Sequence, residues 1–444
     1  MKTHLLWFTQ DLRLTDNATL LAASHCDRLI CVYFSAQNAH SQPAPFSAKA
    51  GEHRQRFVRQ ALADLQQRLN ELGQSLLVLD GPAETQIPAL VATYQVAAVF
   101  VSRQFGLNEL RTINHVRHQI APVVVYHCNT YTLFSPSTLP MAVEELPDTY
   151  SGFRRKAETQ SIKLPQSAPT RLPPSPFSSA SHVCDTTSID ANPAVTGGES
   201  AALDHCQRVF DSALPKHYKT VRNALDGWEN SSKFSLWLAT GCISARQLKA
   251  CIDRYQHTHG PSESVYWLFV ELLWREYFQW RALQIGIRLF QFQGTAKSRP
   301  LTSFYPERLA KWQQGTTPWP LVNACMLQLR QTGYLSNRGR QIVASCLINE
   351  LQLDWRYGAA WFEQCLIDYD VAVNWGNWQY IAGVGADPRG GRHFDLAKQT
   401  ETFDPDGEYV QRWLGLRASH AIEQLDSVNA ADWPVTHAVT DMQT

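Results

Sequence analysis

Residues suited to binding a planar ligand are concentrated between Tyr334 and Tyr380. This apolar, helical stretch contains two closely spaced acids, Asp368 and Asp370, together with Asn374 and four tryptophans, of which Trp355, Trp375 and Trp378 are the candidates. Carboxylates are rarely buried without a partner, and tryptophan offers a large π-face with one hydrogen-bond donor. The combination predicts a site for a large planar ligand with polar edges. Any one of these residues is equally compatible with an ordinary helical core, so the prediction depends on their joint occurrence.

Hydroxyl-bearing residues are concentrated in a second segment, SSKFS at 231–235, where a helix is expected to begin. Its serines and Lys233 provide hydroxyl groups, backbone N–H donors and one cation, which together suit the phosphates of a nucleotide. A simple helix N-cap would explain one of the serines but not the group. The segment therefore predicts a phosphate-binding site.

A carboxylate and an indole share one predicted helix face in the segment ELLWREYFQW. Glu271 and Trp274 are three residues apart, so a helix presents both on the same side. A hydrogen-bond acceptor and a π-surface can then converge on one ligand. Glu271 is difficult to explain as a core residue, which favours binding.

The elements that must position these residues fall into two classes. Five short apolar runs, HLLWF, RLICVYF, SLLVLD, AAVFVS and PVVVYH, alternate with helical segments in the first part of the chain, and Gly73 ends one of those helices. This alternation predicts an α/β domain with a doubly wound, five-stranded parallel sheet at residues 1–130. No GxGxxG motif follows the first run, so the common dinucleotide-binding fingerprint is absent.

The rest of the chain is predicted to be mostly helical. Residues 156–195 are rich in Pro and Ser and lack periodicity, so we expect an interdomain linker over 131–199. Long helical segments follow, and they predict an all-helical domain over 200–418. Residues 419–444 are expected to form a short C-terminal tail.

Composition limits the function classes. The 444 residues carry 40 basic and 40 acidic side chains, which excludes a histone-like polycation but not a local basic face for nucleic acid. No leader and no bilayer-length apolar run are recognisable, and the ten cysteines show no metal-binding spacing. We therefore expect a cytoplasmic protein with reduced cysteines and neither a membrane nor a metal partner, and we expect it to be a monomer.

Several ordered segments resemble the photolyase/cryptochrome flavoproteins, and among them the DASH-type cryptochromes. The resemblance extends from about residue 3 to about residue 417 and is weakest between 160 and 195. The matching segments are FRRKAE at 153–158, TGGESAAL at 196–203, SSKFSLWLATGCISAR at 231–246, ELLWREYFQW at 271–280, SNRGRQ at 336–341, DYDVAVNWGNWQY at 368–380 and QTETFDPDGEYVQRWL at 399–414.

The resemblance implies a noncovalent FAD, bound in a U-shape by the helical half. Asp370 is expected to pair with Arg340 near the flavin ring, and Asn374 to face flavin N5. An amide there, unlike a carboxylate, does not oppose the negative charge of reduced flavin. The implied cofactor-binding residues are Tyr218, Ser231, Ser232, Lys233, Phe234, Ser235, Arg275, Asn337, Arg340, Asp368, Asp370 and Asn374.

The resemblance also implies a substrate, a cyclobutane pyrimidine dimer flipped into a pocket. Enzymes of the family that act on duplex DNA commonly carry Met and Trp where this chain has Gln341 and Tyr380. Weaker stacking by this pair favours single-stranded or looped DNA, which needs no base extrusion. The implied lesion-site residues are Glu271, Trp274, Asn337, Gln341, Asn374 and Tyr380, and the candidate DNA-phosphate contacts are Arg338, Arg389, Arg392 and Lys398.

The expected electron path and antenna follow from the same resemblance. Trp378 and Trp355 match the first two members of the tryptophan chain that photoreduces flavin, but Thr302 stands where the third is expected. Either the path ends early, or Tyr305 or Trp319 replaces the missing residue. In the N-terminal domain, Glu109 matches the acid that holds a methenyltetrahydrofolate antenna.

The leading functional expectation is a light-driven lyase that repairs pyrimidine dimers in single-stranded DNA. A blue-light receptor is the alternative, although the short predicted tail does not resemble the long extensions of such receptors. A nucleic-acid-binding regulator without catalysis is a third class. Repair of (6-4) photoproducts is disfavoured, because neither SNRGRQ nor the segment around Trp378 contains the expected histidine.

Overall fold

The computed structural model describes residues 1–35, 49–177, 195–386 and 390–415. The predicted tail at 419–444, the candidate phosphate contact Arg389 and part of the predicted linker therefore lie outside the described residues.

A five-stranded parallel sheet forms near the N-terminus, as predicted. The strand order is β3-β2-β1-β4-β5, so the chain winds outward from β1 in both directions. All six residues of β1 are buried, because helices cover both faces of the sheet. The strands are β1 (Thr3–Phe8), β2 (Arg28–Phe34), β3 (Leu76–Leu79), β4 (Val96–Ser102) and β5 (Val124–Cys128).

Four helices connect these strands, namely α1 (Ala18–Ala23), α2 (Glu52–Glu71), α3 (Ala83–Tyr94) and α4 (Leu107–Gln119). The helix α2 ends where expected, since Gly73 adopts a φ of +73°, which favours a residue without a Cβ. One apolar core gathers Leu5, Trp7, Ile30 and Val99 from the strands and Ile113 from α4.

Helices make up nearly all the remaining regular structure that is described. The first of them lies inside the predicted linker. They are α5 (Tyr150–Ala157), α6 (Glu199–Asp211), α7 (Leu214–Val221), α8 (Ser235–Thr240), α9 (Ala245–His259), α10 (Glu263–Ile285), α11 (Pro306–Gln314), α12 (Pro320–Thr332), α13 (Asn337–Ser345), α14 (Trp355–Cys365), α15 (Val371–Ile381), α16 (Leu396–Phe403) and α17 (Glu408–Leu414). Short 3₁₀ turns occur at Val143–Glu145, Trp228–Asn230 and Gly286–Phe290, and a π-helical turn at Cys346–Glu350 extends α13.

The chain divides into two compact units. The first unit comprises Met1–Val221, Ser232–Gly286 and Ile367–Val373, and the second comprises Arg222–Ser231, Ile287–Leu366 and Asn374–Thr444. These boundaries differ from a single division near residue 200, because helices α6 to α10 group with the sheet.

A buried ion pair shows how the sheet and a later helix are joined inside the first unit. The carboxylate of Asp16, which follows β1, is fully buried and pairs with Arg246 of α9 at 2.9 Å. It also accepts a hydrogen bond from Ser244, the N-cap residue of α9, at 2.6 Å. The start of α9 is therefore fixed to the loop after β1.

In the described ranges, no helix has both the length and the apolar character that crossing a bilayer requires. The same ranges contain no group of His, Cys, Asp and Glu residues arranged to hold a metal ion.

Candidate functional site

Asp370 is the centre of a buried polar cluster in the first unit. Its Oδ2 accepts hydrogen bonds from the Tyr131 hydroxyl at 2.8 Å and from Gln279 Nε2 at 2.6 Å. The Arg275 guanidinium lies 3.6 Å from the same oxygen. Only 8% of Asp370 is exposed, so these partners offset the cost of burying its charge.

Helix α10 positions two of these partners. Arg275 and Gln279 are four residues apart and therefore lie on the same face. The helix begins at an N-cap, Ser262, whose side chain accepts from the Val265 N–H at 3.2 Å. The guanidinium of Arg275 lies 4.0 Å from the centre of the Tyr131 ring and donates to the Tyr131 carbonyl at 2.7 Å.

The protonation states of the cluster follow from its burial and its charges. Burial raises the pKa of Tyr131, and the Asp370 carboxylate raises it further, so the phenol keeps its proton and acts as a donor. Burial alone would lower the pKa of Arg275, but Tyr131 and Asp370 outweigh it and the pKa lies above its ordinary value. Arg275 is therefore a fixed positive charge.

Within the first unit, α10 supplies Asp370 with a cation, Arg275. The expected pairing of Asp370 with Arg340 stays a prediction. Within the second unit, the Arg340 Nε donates to the Leu335 carbonyl at 2.8 Å, and its guanidinium lies 5.8 Å from the centre of the Tyr334 ring. Sequence reasoning missed Tyr131 and Gln279. The spacing of Gln279 from Arg275 on a helix was the available signal.

Two buried polar atoms beside Asp370 have no hydrogen-bond partner among the described residues, namely Arg275 Nη2 and Gln279 Oε1. A buried donor and a buried acceptor of this kind are costly unless a ligand satisfies them. The polar edge of a flavin, which has both donors and acceptors, fits this pair. The structure is thus compatible with FAD beside Asp370.

The serine-rich segment leads into α8, whose first residue is Ser235, and its first-unit part is Ser232 to Ser235. The N-cap of α8 is Phe234, and no side chain caps the helix, so the N-cap explanation for the serines is wrong. Lys233 is buried and has a φ of +53°, an uncommon conformation for a lysine. The Ser232 carbonyl accepts from His205 Nε2 at 2.8 Å, which fixes the segment to α6. Asp368 and Tyr218, two other candidates, are also buried.

Glu271 and Trp274 form a second cluster with Tyr150, which sequence reasoning missed. The Tyr150 ring stacks on the Trp274 indole with centroids 3.6 Å apart and planes at 13°. The Tyr150 hydroxyl donates to the Val270 carbonyl at 3.0 Å, which fixes the ring on α10. Burial raises the pKa of Tyr150, and the charge of Glu271 raises it further. Glu271 and Trp274 remain partly exposed.

In the second unit, Asn374 is 8% exposed, and its Nδ2 donates to the Ala359 carbonyl at 3.0 Å. Since only a donor suits a carbonyl, the amide orientation is determined, and Oδ1 is the atom that is left to accept from a ligand.

The two predicted electron-transfer tryptophans are buried in the second unit, each beside another tryptophan. The Trp355 ring contacts Trp375 at 5.7 Å, and the Trp378 ring contacts Trp312 at 6.2 Å. Their exposed fractions are 1% and 2%, so neither reaches solvent through its own surface.

Thr302 lies beside the residues that lead into Trp355. Ser303 forms a parallel bridge with Leu353, and its carbonyl accepts from the Asp354 N–H at 2.7 Å. Of the two predicted substitutes, Tyr305 is 42% exposed and lies under the Arg308 guanidinium, whereas Trp319 is half-buried at the N-cap of α12.

The candidate DNA-phosphate contacts in the second unit differ in how exposed their charged groups are. Arg392 Nη2 donates to the Tyr380 hydroxyl, which brings two predicted residues together. The Arg338 guanidinium is half-buried 4.6 Å from the centre of the Phe403 ring, and burial lowers its pKa. Lys398 is exposed on α16. Among the lesion-site candidates, Asn337 is exposed and Gln341 is half-buried on α13.

The antenna candidate Glu109 lies in the first turn of α4, and its side chain folds back over the N-cap residue. A Cβ added at Gly106 would lie 2.0 Å from Glu109 Oε2, so the carboxylate lies directly over this glycine. It is thus near the N-terminal end of the helix, where a negative charge is stabilised.

Comparisons with known proteins converge on one family. Residues 4–174 match the family model for DNA photolyase, and residues 267–438 match that for the FAD binding domain of DNA photolyase. A cryptochrome DASH of Vibrio parahaemolyticus is 45% identical, covering 98% of each chain. One from Idiomarina loihiensis is 46% identical and covers 97% of this chain and 96% of its own. The crystal structure of a Synechocystis cryptochrome superposes with a TM-score of 0.88 at 35% identity, covering 97% of this chain and 93% of that one.

Proposed function

Since the chain belongs to the photolyase/cryptochrome family, in its DASH cryptochrome branch, we propose that it repairs cyclobutane pyrimidine dimers in single-stranded or looped DNA. The family identifies it as a photolyase-like enzyme with an FAD-binding domain. Bound, reduced FAD supplies the electron that splits the dimer when light excites the cofactor. The protein's own residues bind, orient and shield the reactants.

One observation carries the proposal. Trp274 and Arg275 are consecutive on α10, and each belongs to a different cluster of the first unit. Trp274, with Glu271 and Tyr150, forms the cluster proposed for the lesion. Arg275 pairs with Asp370 in the cluster proposed for the flavin. That one helix carries the residues proposed for the lesion next to those proposed for the cofactor supports the proposal, because electron transfer requires a short distance.

In the flavin-binding role, Arg275 Nη2 and Gln279 Oε1 provide a buried donor and a buried acceptor next to Asp370. The fixed charge of Arg275 favours a negatively charged ring system. Asn374 contributes an acceptor, Oδ1, because Ala359 occupies its amide nitrogen. We assign the diphosphate to the serine-rich segment, where Lys233 supplies a cation.

In the lesion-binding role, Glu271 accepts hydrogen bonds from the base edges and Trp274 stacks on the dimer. The Tyr150 ring covers one face of the Trp274 indole, so it sets the plane on which a base can stack. In the second unit, we propose that Tyr380, whose hydroxyl accepts from Arg392, and Gln341 contact the lesion. These two side chains stack less strongly than Trp and Met, so each weakened stack costs about 1–3 kcal/mol. A duplex adds an extrusion cost, and single strands are therefore preferred.

We further propose that Asn337 contacts both cofactor and lesion, that Lys398, Arg392 and Arg338 contact the DNA backbone, and that Glu109 binds a methenyltetrahydrofolate antenna. Arg338 must leave the Phe403 ring to reach a phosphate, so its contribution is expected to be the weakest of the three. The described cysteines are all free thiols, in keeping with the proposed cytoplasmic location.

The test is a repair assay. Protein reduced chemically without oxygen is illuminated with blue light in the presence of dimer-containing oligothymidine, and recovery of thymine absorbance is followed. We expect recovery only with light and with reduced FAD. A protein that binds FAD and photoreduces but restores no absorbance would support the receptor alternative and reject the repair proposal.

A further inference from the structure

Two cysteines from different helices meet in the first unit. Cys206 lies on α6 and Cys251 on α9, and these helices pack against each other. The Cys206 Sγ is 3.4 Å from the Cys251 Sγ. A disulfide bond is about 2.05 Å long, so the two sulfurs must approach by roughly 1.4 Å to form one. Neither residue belongs to the flavin or lesion clusters.

The two thiols differ in accessibility and acidity. Cys206 is 4% exposed, whereas Cys251 is partly exposed. The hydrogen bond from Cys206 lowers the pKa of Cys251 to about 7, burial opposes this, and the Arg254 guanidinium assists it. The same hydrogen bond and burial raise the pKa of Cys206. The other charges near Cys251 on α9, Lys249 and Asp253, pair with each other.

We propose that Cys206 and Cys251 form a reversible dithiol–disulfide site that is oxidised by low-molecular-weight disulfides such as glutathione disulfide. The Cys251 thiolate attacks one sulfur of glutathione disulfide, the S–S bond breaks, and one glutathione thiolate leaves. Cys206 then loses its proton and attacks the Cys251 sulfur, which releases the second glutathione. The protein loses two electrons and two protons, and one glutathione disulfide becomes two glutathiones.

Four other cysteines of the described chain are poorly suited to this chemistry. Cys31, Cys242, Cys325 and Cys346 are fully buried, and burial raises the pKa of each thiol. A buried, protonated thiol is a poor nucleophile. Oxidation should therefore favour the pair over these four cysteines, which provide internal controls in the same protein.

A disulfide between Cys206 and Cys251 would form next to the serine-rich segment. His205, the neighbour of Cys206, stacks on Trp237 and binds the Ser232 carbonyl at 2.8 Å. A disulfide would tie α6 to α9 next to the serine-rich segment. Reduction by excess glutathione would reverse it, as expected for a sensing disulfide in a reducing compartment.

The experiment uses the FAD-containing wild-type protein. It is incubated with glutathione disulfide, quenched in acid, alkylated and digested, and the peptides are identified by mass spectrometry. We expect a linked peptide joining Cys206 to Cys251 that disappears after dithiothreitol treatment. Formation should be about ten-fold faster at pH 8 than at pH 6, following the thiolate fraction of Cys251.

Two variants separate the proposed roles. Cys206→Ser should retain glutathione on Cys251, because the resolving thiol is missing, whereas Cys251→Ser should take up no glutathione at Cys206. Absence of the linked peptide in wild-type protein, or preferential modification of Cys31, Cys242, Cys325 or Cys346, would overturn the proposal. The wild-type result is decisive even if a variant folds poorly.

Discussion

Trp274 and Arg275 are consecutive in the chain but belong to different side-chain clusters. The Trp274 indole stacks on Tyr150, while the Arg275 guanidinium lies over the Tyr131 ring and faces Asp370. Successive helix positions point about 100° apart, so two adjacent sites can be built from one segment. Substitution on each side should then affect either substrate handling or cofactor retention, but not both.

Glu271→Ala should lower repair and leave FAD content nearly unchanged. Losing a charged acceptor from a base edge should cost about 1.5–3 kcal/mol, which corresponds to roughly a 10- to 150-fold decrease in kcat/KM. Repair kinetics and flavin absorbance check this. Glu263→Ala, at the exposed start of the same helix, is the matched control and should repair normally. Normal kinetics in Glu271→Ala would count against the lesion-site assignment.

Tyr150→Ala should raise the KM for dimer-containing DNA with little change in kcat. An aromatic pair contributes about 0.5–1.5 kcal/mol, so an increase of roughly 2- to 12-fold is expected when the Trp274 plane is released. Tyr150→Phe keeps the ring and loses only the hydrogen bond to Val270, and it should restore a KM close to that of the wild type. Equal defects in both variants would show that stacking does not position Trp274.

At the scale of helices and loops, two elements lead to testable predictions. They are α9 and the segment before Trp355. The start of α9 depends on a buried pair, Asp16 with Arg246, whereas an exposed pair, Lys249 with Asp253, lies further along the same helix. Because the Asp16–Arg246 pair is buried, removing one partner should lower the free energy of unfolding substantially. The Lys249–Asp253 pair is exposed to solvent, so removing one partner should change that free energy little.

Asp16→Ala should lower the free energy of unfolding by about 3–5 kcal/mol, because it leaves the Arg246 charge and the Ser244 hydroxyl without their partner. Urea titration followed by tryptophan fluorescence measures the loss. Asp253→Ala should cost less than about 1 kcal/mol. Similar costs for the two variants would contradict a structural role for the buried pair.

Thr302→Trp should accelerate photoreduction of the flavin under blue light. In the wild type, the oxidised site is expected to remain on buried Trp355, where external reductants have poor access. A tryptophan at position 302, beside the residues leading into Trp355, should carry the charge outward. Repair by chemically reduced enzyme should not change.

The wild-type substitutes for the missing tryptophan can be tested with one double variant, Tyr305→Phe with Trp319→Phe. If either residue carries the charge, photoreduction should slow down. Rapid wild-type photoreduction that the double variant leaves unchanged would show that the electron path has been placed incorrectly.

For the whole molecule, the sequence predicted the secondary-structure elements better than the side-chain partners of buried polar residues. Buried parallel strands appear as apolar runs, and Gly73 marked a helix end, so the sheet could be recognised directly. The first-unit partners of Asp370 could not be recognised in this way, because Tyr131 is distant in sequence and no pattern marked Arg275 as its ion-pair partner. The backbone of Lys233 has a positive φ that no residue type signalled.

The preference for single-stranded over duplex DNA is the property of the whole protein on which the proposed function depends. Selection of single strands is attributed to the weak stacking pair, Gln341 and Tyr380, together with the extrusion cost that only a duplex imposes. Neither contribution alone identifies the substrate. Their sum predicts a measurable order of repair efficiency among DNA forms that carry the same lesion.

The most direct measurement places one thymine dimer in the same sequence as a single strand, inside an unpaired bubble and in a full duplex. Reduced enzyme is illuminated with each, and kcat/KM is compared at one ionic strength. We expect efficient repair of the single strand and the bubble and at least about ten-fold weaker repair of the duplex, since about 1.4 kcal/mol of extrusion cost is sufficient for this ratio. Failure to repair the single strand, or equal repair of all three, would contradict the account.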